Sequence, residues 1–145
     1  MSRNGHQPLS VLLVEDSPAD VFLVRRALQE SGGNFHLEVA DDGEKAIRIL
    51  DSVDAGSGAT APDILVLDVN VPRKTGNEVL ERVRKSPCYG KIPVVMISSS
   101  DSPDDRRRAL DLGATEYFRK PSSLAEFMQL GKLVRRLCAQ NAASA

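Results

Sequence analysis

The stretch Asp63-Ile64-Leu65-Val66-Leu67-Asp68-Val69-Asn70-Val71-Pro72 decides the fold. Its four consecutive apolar residues read as a strand buried on both faces, the pattern of a central strand in a parallel sheet. A carboxylate follows them directly. Burying an unpaired carboxylate is expensive, so Asp68 must lie at the strand's C-terminal mouth, facing solvent, a cation or a reactant. In open parallel α/β sheets that mouth is where ligands bind.

Outward from this strand, apolar runs alternate with helical patterns. Leu9 to Val14 reads as a first strand, and 18–31 as a helix with Val21, Val24 and Leu28 on one face. Phe35, Leu37 and Val39 alternate with polar residues, which marks a strand fully covered on one side only, at a sheet edge. Ala46, Ile47 and Leu50 belong to a second helix, and Val79, Leu80 and Val83 to a third. Ile92 to Ile97 reads as the fourth strand and 103–112 as the fourth helix. Tyr117 and Phe118 lie in a short fifth strand, and Leu124 to Cys138 is the last helix. Ser52 to Pro62 is a run of small residues, read as the most flexible internal loop. Ser17-Pro18-Ala19-Asp20 and Ser102-Pro103-Asp104-Asp105 each put Ser at a cap, Pro at the first helical position and an acid three residues after the cap. Thr75 with Glu78 and Ser123 with Glu126 resemble capping boxes. Five βα units in series, joined by right-handed crossovers, predict an α/β protein: a doubly wound five-stranded parallel sheet with helices on both faces.

The 145 residues suit one domain. Residues 1–8 are expected to be a flexible N-terminal segment, 9–139 the domain and 140–145 a short C-terminal tail. A formal charge of -1 carries no electrostatic footprint for nucleic acid. No apolar run approaches the ~18 residues that span a bilayer, and the polar start has no signal-peptide core. The expected location is the cytoplasm, with no membrane partner. Cys88 and Cys138 then read as reduced thiols, and His6 and His36 lack metal-ligand spacing.

The residues that follow the strands converge on one sheet edge. Glu15 and Asp16 follow the first strand, Asp68 ends the third, Ser98 ends the fourth and Lys120-Pro121 follows the fifth. Two carboxylates ~4 Å apart repel by about 4 kcal/mol at an effective dielectric of about 20. Three carboxylates with one lysine remain net negative, and a hard divalent cation such as Mg²⁺ resolves this. Such a cation gathers phosphoryl oxygens beside a nucleophile, and phosphoryl transfer needs mainly positioning and charge neutralisation. A carboxylate can itself be the nucleophile and form an aspartyl-phosphate.

These motifs, in this order over about residues 9–138, resemble a response-regulator receiver domain, the family that includes the chemotaxis response regulator. Leu12-Leu13-Val14-Glu15-Asp16 is similar to the family's first strand with its acidic pair. Leu67-Asp68-Val69-Asn70-Val71-Pro72 with Gly76 resembles the phosphoacceptor strand and loop, Ile97-Ser98 the switch hydroxyl, Tyr117 the switch aromatic and Lys120-Pro121 the Lys-Pro pair, whose bond is often cis. The resemblance implies a flavodoxin-like receiver fold with strand order 2-1-3-4-5 and five helices. It implies that Asp68 accepts a phosphoryl group from a sensor histidine kinase or histidine phosphotransfer protein. Asp16, Asp68 and the Asn70 backbone carbonyl would hold Mg²⁺, with Glu15 assisting. Lys120 would pair with Asp68 and then with the phosphate, while Ser98 and Tyr117 would form the switch. The resulting expectation is a stand-alone response regulator that signals by altered binding, similar to receivers paired with phytochrome-type sensor kinases. It would catalyse only its own phosphorylation and dephosphorylation, not metabolic turnover. Two alternatives stand beside it: a haloacid-dehalogenase-type Mg-dependent phosphatase, disfavoured because Asn70 replaces a second acid, and a phosphorylation-independent pseudo-receiver.

The last helix carries an apolar arc wider than the ~100° that one buried face requires. Leu124, Phe127, Met128, Gly131, Val134 and Cys138 share one face, and Leu130, Leu133 and Leu137 extend it sideways. That side is expected to meet a second copy of the chain or an effector protein, the alternative being a helix generously buried within its own fold.

Overall fold

The computed structural model describes residues 8–144. All but the last residue of the predicted N-terminal segment 1–8, His6 included, lies outside these. The elements run β1 (Leu9–Val14), α1 (Pro18–Glu30), β2 (Phe35–Ala40), α2 (Gly43–Asp54), β3 (Ile64–Asp68), α3 (Gly76–Arg84), β4 (Val94–Ser98), α4 (Pro103–Asp111), β5 (Glu116–Arg119), α5 (Leu124–Phe127) and α6 (Gln129–Ser144). The five strands form one sheet in the order β2-β1-β3-β4-β5, and every pairing is parallel. The sheet is therefore the doubly wound one that the alternation of patterns predicts. β2, with its period of two, lies at the edge.

The strand period sorts the core into two layers. Val11, Leu13, Ile64, Val66, Val95 and Ile97 pack with Val24 and Leu28 of α1 and with Leu130 and Val134 of α6. Leu12, Val14, Leu65, Leu67, Val94 and Met96 pack on the other face with Leu50 of α2, Leu80 of α3 and Ala109 of α4. Each such aliphatic side chain contributes about 1.5–3 kcal/mol when fully buried. Burial on both faces is why residues 11–14 of β1, 64–67 of β3 and 94–97 of β4 read as unbroken apolar runs.

Four boundaries differ from expectation. β4 begins at Val94, not Ile92, because Pro93 has no N–H for the ladder and only its carbonyl pairs, with the Leu65 N–H. α2 keeps Ser52 to Asp54 helical, shortening the expected loop. Its last turn is tied to α3 by Arg82, which donates to Asp51 (2.8 Å) and Asp54 (2.6 Å). The final helix is two segments, α5 and α6, meeting at Met128. And α6 runs through Ser144, so residues 140–144 are helix rather than tail.

The wide apolar arc of α6 has an internal explanation. Leu130 and Leu137 are buried in the core shared with α1 and the sheet, and Leu133 packs partly buried at its margin. The expectation that Leu130, Leu133 and Leu137 face a second copy or an effector is thus corrected. α6 is wedged between the sheet on one side and α1 on the other, so two contacts consume the arc. Gly131 allows the approach: a Cβ there would run into the Ala27 backbone carbonyl of α1. The Arg135 guanidinium closes the same seam by donating to the Ser31 carbonyl. Gly131→Ala should therefore destabilise the protein by about 1–3 kcal/mol in urea unfolding, although Ala is the better helix former by about 1 kcal/mol.

Candidate functional site

The sheet delivers its strand ends to one edge, and the backbone fixes each of them. The Glu15 N–H donates to the Ala40 carbonyl (3.0 Å), which extends the β1–β2 ladder by one residue past β1. Asp68 is the last residue of β3. The chain then turns back, with the Val69 N–H on the Ile97 carbonyl and the Gly76 N–H on the Val69 carbonyl, each at 3.1 Å. Gly76 is required at this return, because a Cβ would collide with the Asp68 carbonyl. The Lys120 N–H donates to the Ser98 carbonyl (2.7 Å), which sets the lysine at the end of β4.

The side chains meet as the sequence predicts. Asp68 is 5 % exposed and Glu15 1 %. Lys120 Nζ donates to Glu15 Oε1 at 2.9 Å and to Asp68 Oδ2 at 2.7 Å. The other Asp68 oxygen, Oδ1, accepts from the Asn70 N–H (2.8 Å). Asp16 is exposed at the mouth. One carboxylate oxygen from each of Glu15, Asp16 and Asp68 lies within 4.8 Å of the others. The Lys120–Pro121 peptide bond is trans, in contrast to the cis bond often found in the resembling family.

Sequence reading missed one member. Asp20 Oδ2 accepts from Lys120 Nζ at 2.7 Å. Its position three residues after the Ser17 cap gave it a complete account as a helix-start acid. Only the fold, which joins residues 100 apart, shows the contact.

Ser98 and Tyr117 sit one step away from the carboxylates. The Ser98 hydroxyl is buried and accepts from the Ser100 N–H (3.1 Å). The buried Tyr117 hydroxyl donates to the Ser100 carbonyl (3.0 Å). Ser100 Oγ donates in turn to Asp105 Oδ2 of α4 (2.6 Å). Ser100 is therefore the hub between the two predicted switch residues, a role hidden by the Ser98-Ser99-Ser100 run. Arg106 of α4 places its guanidinium 5.1 Å from the Tyr117 ring centroid, a cation–π distance. His36 is an exposed strand residue. Neither Cys88, which is exposed, nor Cys138, which is buried, is in a disulfide.

The electrostatics leave the site short of positive charge. Burial, opposed by Lys120 and reinforced by Asp68, pushes the Glu15 carboxyl up to about 7. Lys120 is desolvated too, but its bonds to Asp20, Asp68 and Glu15 hold its pKa above the usual lysine range. Hard oxygen donors with a net negative charge suit a hard divalent cation, so Glu15, Asp16 and Asp68 fit such an ion.

The comparisons agree with this geometry. The family model for the response regulator receiver domain matches residues 11–131. The transcriptional regulatory protein TrcR of Mycobacterium tuberculosis is 42% identical over 135 residues. The match takes in 92% of this chain but 48% of TrcR, so the chain spans about half the length of that relative. The response regulator Rcp1 of Synechocystis is 32% identical over 90% of this chain and 88% of its own length. A Mn²⁺-bound structure of Rcp1 superposes with a TM-score of 0.77 at 31% identity, covering 88% of this chain and 92% of that one. The phosphorylated cyanobacterial phytochrome response regulator RcpA superposes with a TM-score of 0.81 at 31% identity, covering 93% of this chain and 96% of RcpA. Receiver domains bind a divalent metal at an acidic pocket, and they interact with histidine kinases or phosphotransfer proteins. No helix among the described residues is long and apolar enough to cross a membrane. With the carboxylates, the lysine and the buried serine brought to one edge of a five-stranded parallel sheet, and with the family model spanning nearly its whole length, this chain belongs to the response regulator receiver domain family.

Proposed function

We propose that Asp68 is the phosphoacceptor of this response regulator and that Mg²⁺ is its metal. The observation that carries the reading is the Asp68 carboxylate, buried at a strand end, with one oxygen on Lys120 Nζ and the other on the Asn70 N–H. Both bonds orient it. Its oxygen attacks the phosphorus of a phosphohistidine. The P–N bond breaks as the P–O bond forms, and the departing imidazole keeps the electron pair and takes a proton from water. Lys120 supplies a positive charge and N–H donors to the arriving phosphoryl oxygens. Glu15, Asp16, Asp68 and the Asn70 backbone carbonyl would hold Mg²⁺, which neutralises phosphoryl charge when bound.

The readout passes through Ser100. A Ser98 hydroxyl drawn toward a phosphoryl group on Asp68 loses its place under the Ser100 N–H. That loosens the residue whose carbonyl holds Tyr117 and whose hydroxyl holds α4. Tyr117 and the Arg106 side of α4 then carry the change to the surface, a local charge event read through packing. The donor is a sensor histidine kinase or a histidine phosphotransfer protein. The likeness to Rcp1 and RcpA supports a kinase of phytochrome type, and the balanced charge supports protein rather than nucleic-acid partners in the cytoplasm.

Incubation with Mg²⁺ and acetyl phosphate or phosphoramidate should give one phosphoryl adduct by intact mass, labile to base and lost in Asp68→Asn. No adduct with any donor, together with no beryllofluoride binding, would sink the reading. The raised Glu15 pKa gives a second expectation. Between its ordinary 4.5 and about 7 the folded state holds a proton that the unfolded chain has released. Stability of the metal-free protein therefore falls as pH rises through that window and levels off above it. The Glu15 part should be about 3 kcal/mol, measured as the difference between wild type and Glu15→Gln in urea unfolding across that range.

A further inference from the structure

The ammonium of Lys120 has three N–H donors, and three carboxylates take them: Glu15, Asp68 and Asp20. Two of these belong to the oxygen trio that fits a divalent cation, and Asp20 does not. This asymmetry matters because the cation and Lys120 draw on the same carboxylates. Unit charges ~4 Å apart interact by about 4 kcal/mol at an effective dielectric of about 20, so a lysine with no other counter-ion would contest both shared acids.

The ordinary account of Asp20 is a helix-start acid, favoured by the dipole of α1. In a capping box its carboxylate would reach back to the Ser17 N–H. That N–H instead donates to Glu15 Oε2 at 3.2 Å. The Ser17 hydroxyl still caps the helix by accepting from the Asp20 backbone N–H at 3.3 Å, and the Asp20 carboxylate turns away to Lys120. The side chain is 26 % exposed, at the rim, while Lys120 is 14 % exposed beneath it.

We infer that Asp20 is a positioning residue: it gives Lys120 a counter-ion outside the metal-binding trio and keeps the ammonium beside Asp68 without making it compete with the cation. This rests on the phosphoacceptor reading of the site. It deepens that reading by dividing the carboxylates into those a metal shares and one that the lysine keeps.

The test is a double-mutant cycle on Mn²⁺ affinity, read by electron paramagnetic resonance of free Mn²⁺ on the unphosphorylated full chain. Asp20→Asn preserves the backbone cap and should weaken Mn²⁺ binding about tenfold, as loss of an outer partner of a metal site does. In a Lys120→Met background the same change should cost less than about twofold, since there is no lysine left to restrain. Asp20→Ser, also suited to a first helical turn, should repeat both results, and far-UV circular dichroism checks that each variant is folded. Equal weakening in both backgrounds would mean that Asp20 acts only by its charge through space, and no weakening in wild type would mean that it does not act on the site at all. Either result overturns the inference. Wild type that binds no Mn²⁺ would instead overturn the reading beneath it.

Discussion

One constraint governs this molecule: negative charge gathered at the end of a sheet whose interior cannot solvate it. β1 and β3 are buried on both faces up to their last residues, so Glu15 and Asp68 emerge where water is scarce. Lys120 answers part of that charge from just past the end of β5, on the far side of β4. Breaking one partner from a buried charge group costs far more than the group contributes as a whole. The interlocked Glu15, Asp68 and Lys120 are thus more a poised chemical state than a source of stability. The raised Glu15 pKa records the same shortage. On the proposed reading, a site in this condition would gain when a divalent cation arrives and change again when a phosphoryl group does.

The sheet order makes the cluster possible. β1 lies between β2 and β3, and β4 separates β3 from β5. The chain reverses its direction of winding between β1 and β3, which makes their C-terminal ends the switch point of the sheet. Such a switch point accepts ligands by geometry, whatever the residues there. Here residues and geometry agree. The loop after β3 must turn tightly, Gly76 permits it, and the Asn70 N–H it delivers orients Asp68.

Much of this was legible in the sequence because it is written in local patterns. Apolar runs four or more residues long marked β1, β3 and β4, and Ser-Pro pairs marked the starts of α1 and α4. The acids and the lysine stood directly after strand ends, where chain order alone puts them at one edge. What was not legible depends on tertiary partners. The apolar arc of α6 looks the same whether α1 or a second molecule covers it, and the choice appears only when Gly131 is seen against the Ala27 carbonyl. Asp20 and Ser100 were missed for a different reason. Each already had a sufficient local explanation, one as a helix-start acid and the other as part of a polar loop, so nothing in the pattern asked for a second.

That double use bears on how a charge event leaves the site. Ser100 reaches Ser98 through its N–H, Tyr117 through its carbonyl and Asp105 through its hydroxyl. Three groups of one residue thus connect the strand end, the ring and the first turn of α4. Hydrogen bonds of this kind contribute about 1 kcal/mol each, and the loop that carries them, Ser99 to Ser102, is made of polar residues alone. An arrangement so lightly held can be displaced by a single new charge-assisted bond to a phosphoryl oxygen, which is stronger than any of the bonds it replaces. On the proposed reading, the burial of Tyr117 and the stacking of Arg106 above it would turn that displacement into a change of packing at the surface. The sheet beneath is buried on both faces, so on the proposed reading a charge event at Ser98 would act on the face formed by α4 and β5 and leave the core as it is.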